Sequence, residues 1–296
     1  MKIGFIGSGT VGSALALRLS QQGYAVVAVS SKGHTSAEKL AASITGCRAV
    51  RDNQVVADAA DLVFITTPDD VIPTVAASVK WHAGQSVVHC SGADSTETIA
   101  AARQFGARVG AFHPLQTFAG VKQAIENIPG STFAIEAEEP LLATLKEMAT
   151  ALEGSWIELN ESDKVLYHAS AVIACNYLIT LVKLATDLWQ TFDVPREKAV
   201  HAMLPLLQGT LHNLDTVGIP QCLTGPVARG DTGTIRKHLK ALEKSAPEVL
   251  ATYRELGRQT VPVAEAKGRI NKRQAEEMQE LFQPAKTGRK SNASHA

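Results

Sequence analysis

A glycine-rich turn near the start of the chain restricts the possible folds more than any other feature. The letters GSGTVG set Gly7, Gly9 and Gly12 in the spacing G-x-G-x-x-G. The turn follows a strand-like apolar segment at 2–7 and opens a segment with helical periodicity at 10–23, which is the context of a dinucleotide-binding site. Gly7 permits a tight turn, Gly9 leaves room for a pyrophosphate, and Gly12 lets the helix pack closely on the strand, while amide groups at the helix start face the phosphates. The predicted contacts of this turn are Gly7, Ser8, Gly9, Thr10, Val11 and Gly12.

The remainder of the first half alternates strand-like and helical segments. Such strands, apolar on both faces, are typical of a parallel sheet covered on both sides by helices. Strands are predicted at 24–30, 61–68, 85–92, 107–114, 131–136 and 155–159, and helices near 36–44 and 139–152. After Leu159 the strand segments end, and helices are predicted near 161–192, 196–215, 231–245 and 246–282.

These patterns predict an α/β fold, with a doubly wound, mostly parallel Rossmann sheet followed by an all-α C-terminal domain. Asn160 and Asp163 have the spacing of a capping box at the start of the first long helix. We therefore predict a nucleotide-binding domain at 1–160, a helical domain at 161–282 and a disordered polar tail at 283–296.

Composition excludes several classes of partner. The 296 residues include 29 basic and 29 acidic side chains, so the net charge of zero gives no general attraction to nucleic acid or to anionic lipid. The start of the chain lacks the cleavage site of a signal peptide. The apolar segment at 169–182 is shorter than the roughly 20 residues that span a bilayer and contains Asn176, so it predicts a buried core helix and no membrane association. Four widely spaced cysteines show no zinc or disulfide spacing, which favours reduced thiols in the cytoplasm and no bound metal.

The end of the second predicted strand selects the cofactor. An NAD site usually has an acidic residue there for the ribose hydroxyls, whereas this chain has Ser30, Ser31 and Lys32. Small hydroxyls and a cation suit a 2′-phosphate and predict NADP. The alternative is an NAD site without its usual acid.

Two further strand ends carry polar residues that could reach the cofactor, because ligands of such sheets lie beyond the carboxyl ends of the strands. Thr67 and Pro68 follow one strand and could contact the ribose or nicotinamide, although a proline turn with an Asp cap explains them equally well. Ser91 follows the next strand and could bring its hydroxyl close to the nicotinamide. His89 and Cys90 beside it are interpreted as wall residues.

Candidate substrate ligands stand in two other places. His113 and Gln116 follow the strand at 107–114, where the proline after His113 holds the backbone extended. Arg229, in the glycine-rich turn LTGPVARGD, can bind a carboxylate or phosphate through two parallel hydrogen bonds. The alternatives are a packing role for His113 and a surface position for Arg229.

The first long helix carries polar residues that an apolar helix normally avoids. With about 100° per residue, Lys164 and His168 lie on one stripe, and Asn176 lies about 80° from His168. Hydride transfer to a carbonyl or imine needs a proton donor over the reacting heteroatom. Lys164 and His168 are therefore predicted as proton donor and orienting group, with Asn176 as a third candidate. The alternative is that Lys164 extends to solvent and His168 packs in the core.

Six segments together carry a family resemblance: GFIGSGTVG, TTPDD, HCSG, AFHPLQTF, YHASAVIACN and LTGPVARGD. The chain resembles bacterial Rossmann-like NADP oxidoreductases with a C-terminal domain of unknown function. It is similar in layout to 6-phosphogluconate dehydrogenase-like enzymes, among them β-hydroxyacid dehydrogenases, ketopantoate reductase and pyrroline-5-carboxylate reductase. In β-hydroxyacid dehydrogenases a Lys, three residues and an Asn begin this helix; here Lys164 matches the Lys and His168 stands at the Asn position.

The resemblance implies the fold and an NADPH-dependent oxidoreductase. With the candidate residues above, we predict that it acts on a small anionic oxo acid in a cleft between the two domains. The resemblance also implies a homodimer, since long apolar helices in this class pack against a second subunit. Two alternatives remain: an imine reductase of the pyrroline-5-carboxylate type, and a non-catalytic NADP-binding sensor or partner protein.

Overall fold

The N-terminal part of the chain folds as one sheet, as predicted. The computed structural model describes residues 1–284, and the predicted tail beyond Pro284 lies outside the described residues. Within them the sheet has the strand order β3-β2-β1-β4-β5-β6-β7-β8, and only β6 and β7 pair antiparallel. The strands are β1 (Lys2–Ile6), β2 (Ala25–Ser30), β3 (Arg48–Val50), β4 (Leu62–Ile65), β5 (Ser86–His89), β6 (Arg108–Leu115), β7 (Thr132–Ala137) and β8 (Ser155–Glu158).

Helices connect these strands and cover both faces of the sheet. They are α1 (Thr10–Gln21), α2 (His34–Ala42), α3 (Asn53–Ala59), α4 (Ile72–Ser78), the 3₁₀ segment Thr96–Phe105, α5 (Val121–Asn127) and α6 (Leu141–Ala151). Alternate strand residues point to opposite faces, and each face has its own core. Phe64 and Phe112 belong to one core, whereas Val63 and Val109 belong to the other.

The pair β3 and α3 was not predicted from the sequence. The strand Arg48–Val50 has only three residues, none of them fully buried. Its letters therefore lack the apolar alternation by which a longer strand is recognised.

The chain divides into two compact units, Met1–Tyr177 and the residues from Leu178 onward. The sheet ends at Glu158, close to the predicted change from strands to helices, and the capping box between Asn160 and Asp163 is present. The first unit continues through α7 (Lys164–Ala171) and a π-helical turn (Val172–Asn176).

The second unit is helical. Its elements are α8 (Tyr177–Gln190), α9 (Arg196–Val217), α10 (Gly225–Ala228), α11 (Thr232–Ser245), α12 (Pro247–Ala266) and α13 (Lys272–Phe282). The single helix predicted at 246–282 is wrong, because a turn after Ala266 interrupts it. Gly268 in that turn has φ +75°, a conformation that ends a helix.

The prediction that the apolar segment at 169–182 is a buried core helix is also wrong. The continuous helical stretch Glu161–Gln190 is long and apolar enough to cross a membrane by length and composition alone, a test that core helices of soluble proteins also pass. Its large side chains are nevertheless exposed: Leu166 to 76%, Ile173 to 64% and Ile179 to 69%. The apolar residues of this segment thus lie on the surface of the single chain.

Candidate active site

The glycine-rich turn after β1 has the predicted geometry. Gly7 has φ +115°, and a Cβ there would come within 2.6 Å of the Thr66 backbone, so only glycine fits. Thr66 holds the turn by donating its hydroxyl hydrogen to the Gly7 carbonyl at 2.8 Å. A Cβ on Gly12 would collide with Thr66 Oγ1, whereas a Cβ on Gly9 would meet nothing within 4 Å. The turn is therefore packed on the strand side at Gly12 and open at Gly9, at the start of α1.

A cavity of about 670 Å³ opens beside this turn. It lies at the carboxyl ends of β1, β2, β3 and β4, and its size suits a small-molecule site. No Asp or Glu is among the fifteen residues that line it, all of which are described. The predicted cofactor residues in its wall are Gly7, Ser8, Gly9, Ser31, Lys32, Thr67 and Pro68.

The cavity wall fits an NADP cofactor in three respects. Gly9 leaves an open space against the backbone. The Thr67 hydroxyl and His34 Nδ1, both in lining residues, are buried without a hydrogen-bond partner among the described residues. Three serine hydroxyls run along the wall, with Ser36 Oγ 2.7 Å from Ser8 Oγ and 3.2 Å from Ser31 Oγ.

Five of the predicted cofactor residues do not line this cavity: Thr10, Val11 and Gly12 in the first turn of α1, together with Ser30 and Ser91. Ser30 is fully buried, and its hydroxyl donates to Asn53 Oδ1 at 2.7 Å, so its side chain supports the wall from behind. Ser91 is buried and lies 2.9 Å from carboxylate oxygens of both Asp69 and Asp94.

Arg51 lines the cavity and was missed by the sequence analysis. It follows β3 directly, so the same rule that identified Lys32 after β2 would have found it had β3 been recognised. Neither Arg51 nor Lys32 forms an ion pair with another residue in the described part of the chain. The wall therefore offers two uncompensated positive charges.

The turn after β5 is a buried hydrogen-bonded structure. His89 Nδ1 accepts from the Ser91 amide at 3.2 Å, so Nε2 carries the proton and donates to the Ser95 carbonyl at 3.1 Å. Burial, assisted by the positive charge of Lys164, lowers the pKa of His89 to about 4. Burial raises the pKa of the Cys90 thiol to about 12, so this cysteine is a poor nucleophile. Neither residue lines one of the cavities described here, so the prediction that they are wall residues is not supported.

His113 and His168 approach one another at the next strand end, across Gly92. Their rings lie 5.9 Å apart in a T-shaped arrangement. A Cβ on Gly92 would lie 2.5 Å from His168 Nδ1 and 2.8 Å from His113 Nε2. His168 Nδ1 is buried there with no hydrogen-bond partner among the described residues.

Tyr167 orients His113 and was not predicted. Its hydroxyl lies 2.8 Å from His113 Nδ1. Burial, together with the nearby His168 and Lys164, lowers the pKa of His113 to about 4, and burial raises the pKa of Tyr167 to about 12. His113 is therefore neutral at physiological pH and can offer a hydrogen bond but no positive charge.

A second cavity, of about 540 Å³, opens beside these two histidines. His113, His168, Asn176 and Gln116 all line it, as their predicted roles require. The Gln116 amide is already used within its own loop, where it donates to the Asn127 carbonyl at 3.1 Å and accepts from the Thr117 amide at 2.8 Å.

The π-helical turn Val172–Asn176 brings Asn176 into this wall. A π turn holds one more residue than an α turn, so it sets the following residues back by about 100°. Asn176 therefore lies within about 20° of the His168 direction, rather than at the 80° that a regular helix gives. The prediction that Asn176 lies off the stripe of Lys164 and His168 is wrong for this reason. No local sequence pattern predicts a π turn.

Lys164 lies behind this wall and lines neither cavity. Its side chain is 1% exposed, so the alternative of an extended, solvated lysine is wrong. Nζ lies 3.4 Å from the Ser91 carbonyl oxygen and 3.8 Å from Glu136 Oε2 on β7. Burial lowers the pKa of Lys164, and Glu136 opposes that shift.

Arg229 belongs to the second compact unit and was predicted to bind a substrate anion. It lines a basic cavity of about 370 Å³ with Lys267 and Arg269. Lys267 donates to the carbonyls of Gln221 and Leu223, both at 2.7 Å. Arg229 is exposed in this cavity.

Comparisons with known proteins agree with the fold and with the cavity beside the glycine turn. Residues 2–92 match the family described as NADP oxidoreductase coenzyme F420-dependent, and residues 131–260 match a domain of unknown function, DUF2520. The family resemblance inferred from the sequence is confirmed. The predicted enzyme class and cofactor, an oxidoreductase and NADP, are confirmed at the level of that family.

Solved structures extend the comparison to most of the chain. Protein TM1727 from Thermotoga maritima is 26% identical, with a TM-score of 0.72 over 90% of this chain and 100% of that one. Putative NADP oxidoreductase BF3122 from Bacteroides fragilis is 24% identical, with a TM-score of 0.69 over 88% and 98%. A Plasmodium falciparum pyrroline carboxylate reductase with NADP bound is 14% identical, with a TM-score of 0.59 over 96% and 98%. No curated protein sequence matches significantly.

Gly92 offers a test of the histidine pair. We expect Gly92→Ala to displace His168 and His113, because the added methyl group has no room between them. The histidine C–H resonances in NMR spectra should shift, and the midpoint of thermal unfolding should fall by a few degrees, as overpacking costs about 1–3 kcal/mol. Gly130→Ala is unsuitable as a control because its φ is +80°, whereas Gly209→Ala, in α9 with open space around it, is matched. Unchanged histidine resonances in Gly92→Ala would contradict the described packing.

Proposed function

We propose that this protein is an NADPH-dependent reductase that transfers hydride to the carbonyl of a small oxo acid. The observation that carries the proposal is the row of groups at one edge of the sheet. The acid-free cavity beside Gly9 stands at one end of the row, and the cavity beside His113, His168 and Asn176 stands at the other. When bound, NADPH supplies the hydride, and the side chains of the second cavity handle the substrate.

Charge in the first cavity supports NADPH over NADH. Arg51 and Lys32 meet no carboxylate in the wall, and Ser31 and Ser36 add hydroxyl donors. An arginine fork and small hydroxyls match the oxygens of a 2′-phosphate, whereas a ribose 2′-hydroxyl usually requires an acidic partner.

The second cavity supports a proton-donor role for His168. Its ring lines the cavity, while Lys164 is buried behind the wall and His113 is held neutral by its surroundings. We assign proton donation to His168, orientation of the substrate oxygen to the Asn176 amide, and a hydrogen bond from the ring of His113. Lys164 then acts as a fixed positive charge behind the Ser91 carbonyl.

An imine acid is the second candidate substrate class. The fold is shared with a pyrroline carboxylate reductase, and reduction of an imine makes the same demand for a proton donor over the heteroatom. Arg229, which belongs to the second compact unit, remains a candidate for binding the anionic group of the substrate. Four cysteines free of disulfides support a cytoplasmic location.

A homodimer is part of the same proposal. Exposed large apolar side chains continue along α7, α8 and α9, and they include Leu166, Ile173, Ile179, Leu206 and Leu211. Exposed apolar side chains of this size mark an interface, and a second copy of the chain presents the same side chains.

Arg51→Gln tests the cofactor assignment. We expect the Kd for NADPH, measured by calorimetry, to rise roughly tenfold or more, because a charge-assisted hydrogen bond is worth about 1.5–3 kcal/mol. The Kd for NADH should change little. Arg48→Gln removes the same charge from the start of β3, outside the cavity, and should leave both constants unchanged. Equal losses for NADPH and NADH, or tighter NADH binding by the wild type, would overturn the assignment.

His168→Ala tests the chemistry. NADPH oxidation against a panel of small oxo acids and cyclic imines should fall about 10²- to 10⁴-fold, the usual contribution of a positioned proton donor. NADPH affinity should remain, since His168 does not line the first cavity. His82→Ala, an exposed histidine paired with Asp58, is the control. Normal turnover in both His168→Ala and Lys164→Ala would leave these two residues with structural roles only, whereas NADPH binding by the wild type without oxidation by any member of the panel would favour the non-catalytic NADP-binding protein.

Sedimentation of the purified chain tests the dimer. We expect a mass twice the 31.4 kDa of the chain. The double variant Leu166→Asp/Ile179→Asp should sediment as a monomer, because charges would face a partner's apolar surface. Leu256→Asp places the same charge at an exposed leucine outside that surface and should stay dimeric. A monomeric wild type at micromolar concentration would reject this part of the proposal.

A further inference from the structure

The buried ammonium of Lys164 has few partners. Nζ reaches the Ser91 carbonyl at 3.4 Å and Glu136 Oε2 at 3.8 Å, while an ammonium has three N–H donors to satisfy. Taking a charge out of water costs several kcal/mol unless an opposite charge and hydrogen bonds replace the lost hydration. Glu136 is the carboxylate that forms an ion pair with Lys164 among the described residues.

Glu136 is itself held rigidly from the other side. Its Oε1 accepts from the Thr96 hydroxyl at 2.9 Å and from the Thr96 amide at 3.2 Å. Thr96 is buried and begins the 3₁₀ segment, where backbone amides attract a carboxylate. Oε2 also accepts from the Thr96 amide, at 3.2 Å, and lies 3.8 Å from Lys164 Nζ, so the carboxylate on β7 has a fixed position between Thr96 and Lys164.

The other titratable groups near Lys164 do not form an ion pair with its ammonium group. Cys90 is a protonated thiol, and His89 and His113 are neutral. Asp69 and Asp94 act on Lys164 at longer range, while both contact the Ser91 hydroxyl.

Glu136 also faces a third cavity. That cavity, of about 510 Å³, is lined by acidic residues that include Glu136, Glu138 and Glu161 and by the cations Arg103 and Arg108, and it does not include Lys164. Arg103 donates to the Thr96 hydroxyl at 3.1 Å. Glu136 thus lies between a buried cation and a polar opening.

We infer that Glu136 is a positioning residue, which fixes the Lys164 ammonium behind the Ser91 turn and keeps it charged. The inference rests on the proposed function only for its catalytic consequence. The ion pair itself is a property of the folded chain.

The first test is a double-mutant cycle in thermal unfolding. Glu136→Gln keeps an oxygen for Thr96 but removes the charge, and we expect it to lower the unfolding midpoint by roughly 5 °C or more at pH 7. In a Lys164→Met background the same change should cost far less, because no buried cation remains. Glu138→Gln, in the same cavity wall, should cost little in either background.

The pH dependence of that loss follows from the sign of the pKa shift. The folded pKa of Lys164 lies below its unfolded value, so stability rises as the pH increases from the folded toward the unfolded pKa. Removal of Glu136 lowers the folded pKa further. The gap between Glu136→Gln and wild type should therefore be largest near neutral pH and shrink as the pH rises toward 10. An equal, pH-independent loss in both backgrounds would overturn the inference and leave Glu136 as a partner of Thr96 alone.

A catalytic readout separates the inference from the proposed function. With a substrate in hand, Glu136→Gln should move to lower pH the limb of kcat that follows loss of the Lys164 charge, as distinct from the limb set by the proton donor His168, and Glu138→Gln should not move it. If the double-mutant cycle shows coupling but this limb of kcat does not move, Glu136 contributes to stability and not to catalysis. Failure to find any reductase substrate would reject the proposed function while the unfolding cycle still decides on the ion pair.

Discussion

Parallel pairing of β1 with β4, of β4 with β5 and of β5 with β6 is the constraint on which the candidate site depends. Parallel strands end at the same edge of a sheet, about 4.8 Å apart. The glycine turn, Thr67 and Gly92 each follow one of these strands, and His113 lies near the carboxyl end of β6. Residues separated by more than a hundred positions thus form a single row, which a hydride donor and its acceptor can share.

The sequence was most informative where local backbone chemistry determines the structure. The G-x-G-x-x-G turn after a strand requires a positive φ at Gly7. The reciprocal hydrogen bonds between Asn160 and Asp163 form only at the start of a helix. These local requirements, with the alternation of strands and helices, were sufficient for the fold class and for seven of the fifteen residues that line the cavity beside the glycine turn. The ends of β4 and β5 were each predicted three residues too late, because the predicted strands included the turn residues that follow, whereas β6 and β7 end one residue later than predicted.

The site residues that the sequence analysis missed are positioned by contacts that a local stretch of sequence does not indicate. Arg51 needed the recognition of a three-residue strand. Asn176 was a predicted candidate, but its position beside His168 requires a π turn that the sequence does not indicate. Glu136 stands 28 positions before Lys164 on a different element, and nothing in the letters near either residue indicates the other. Tyr167 was adjacent to a predicted residue, but its contact with His113 depends on how α7 lies against β6.

The helix that carries Lys164 and His168 has an inverted pattern. Its polar side chains turn toward the sheet edge, where Lys164 is buried, and its leucines and isoleucines turn toward solvent. A surface helix of a monomeric protein has the opposite arrangement, with apolar residues inward and charges outward. The inverted pattern is stable only if the inner face meets groups that satisfy its charges, as Glu136 and Ser91 do, and the outer face meets apolar surface. The same helix would then carry the substrate wall on one side and join a second copy of the chain on the other.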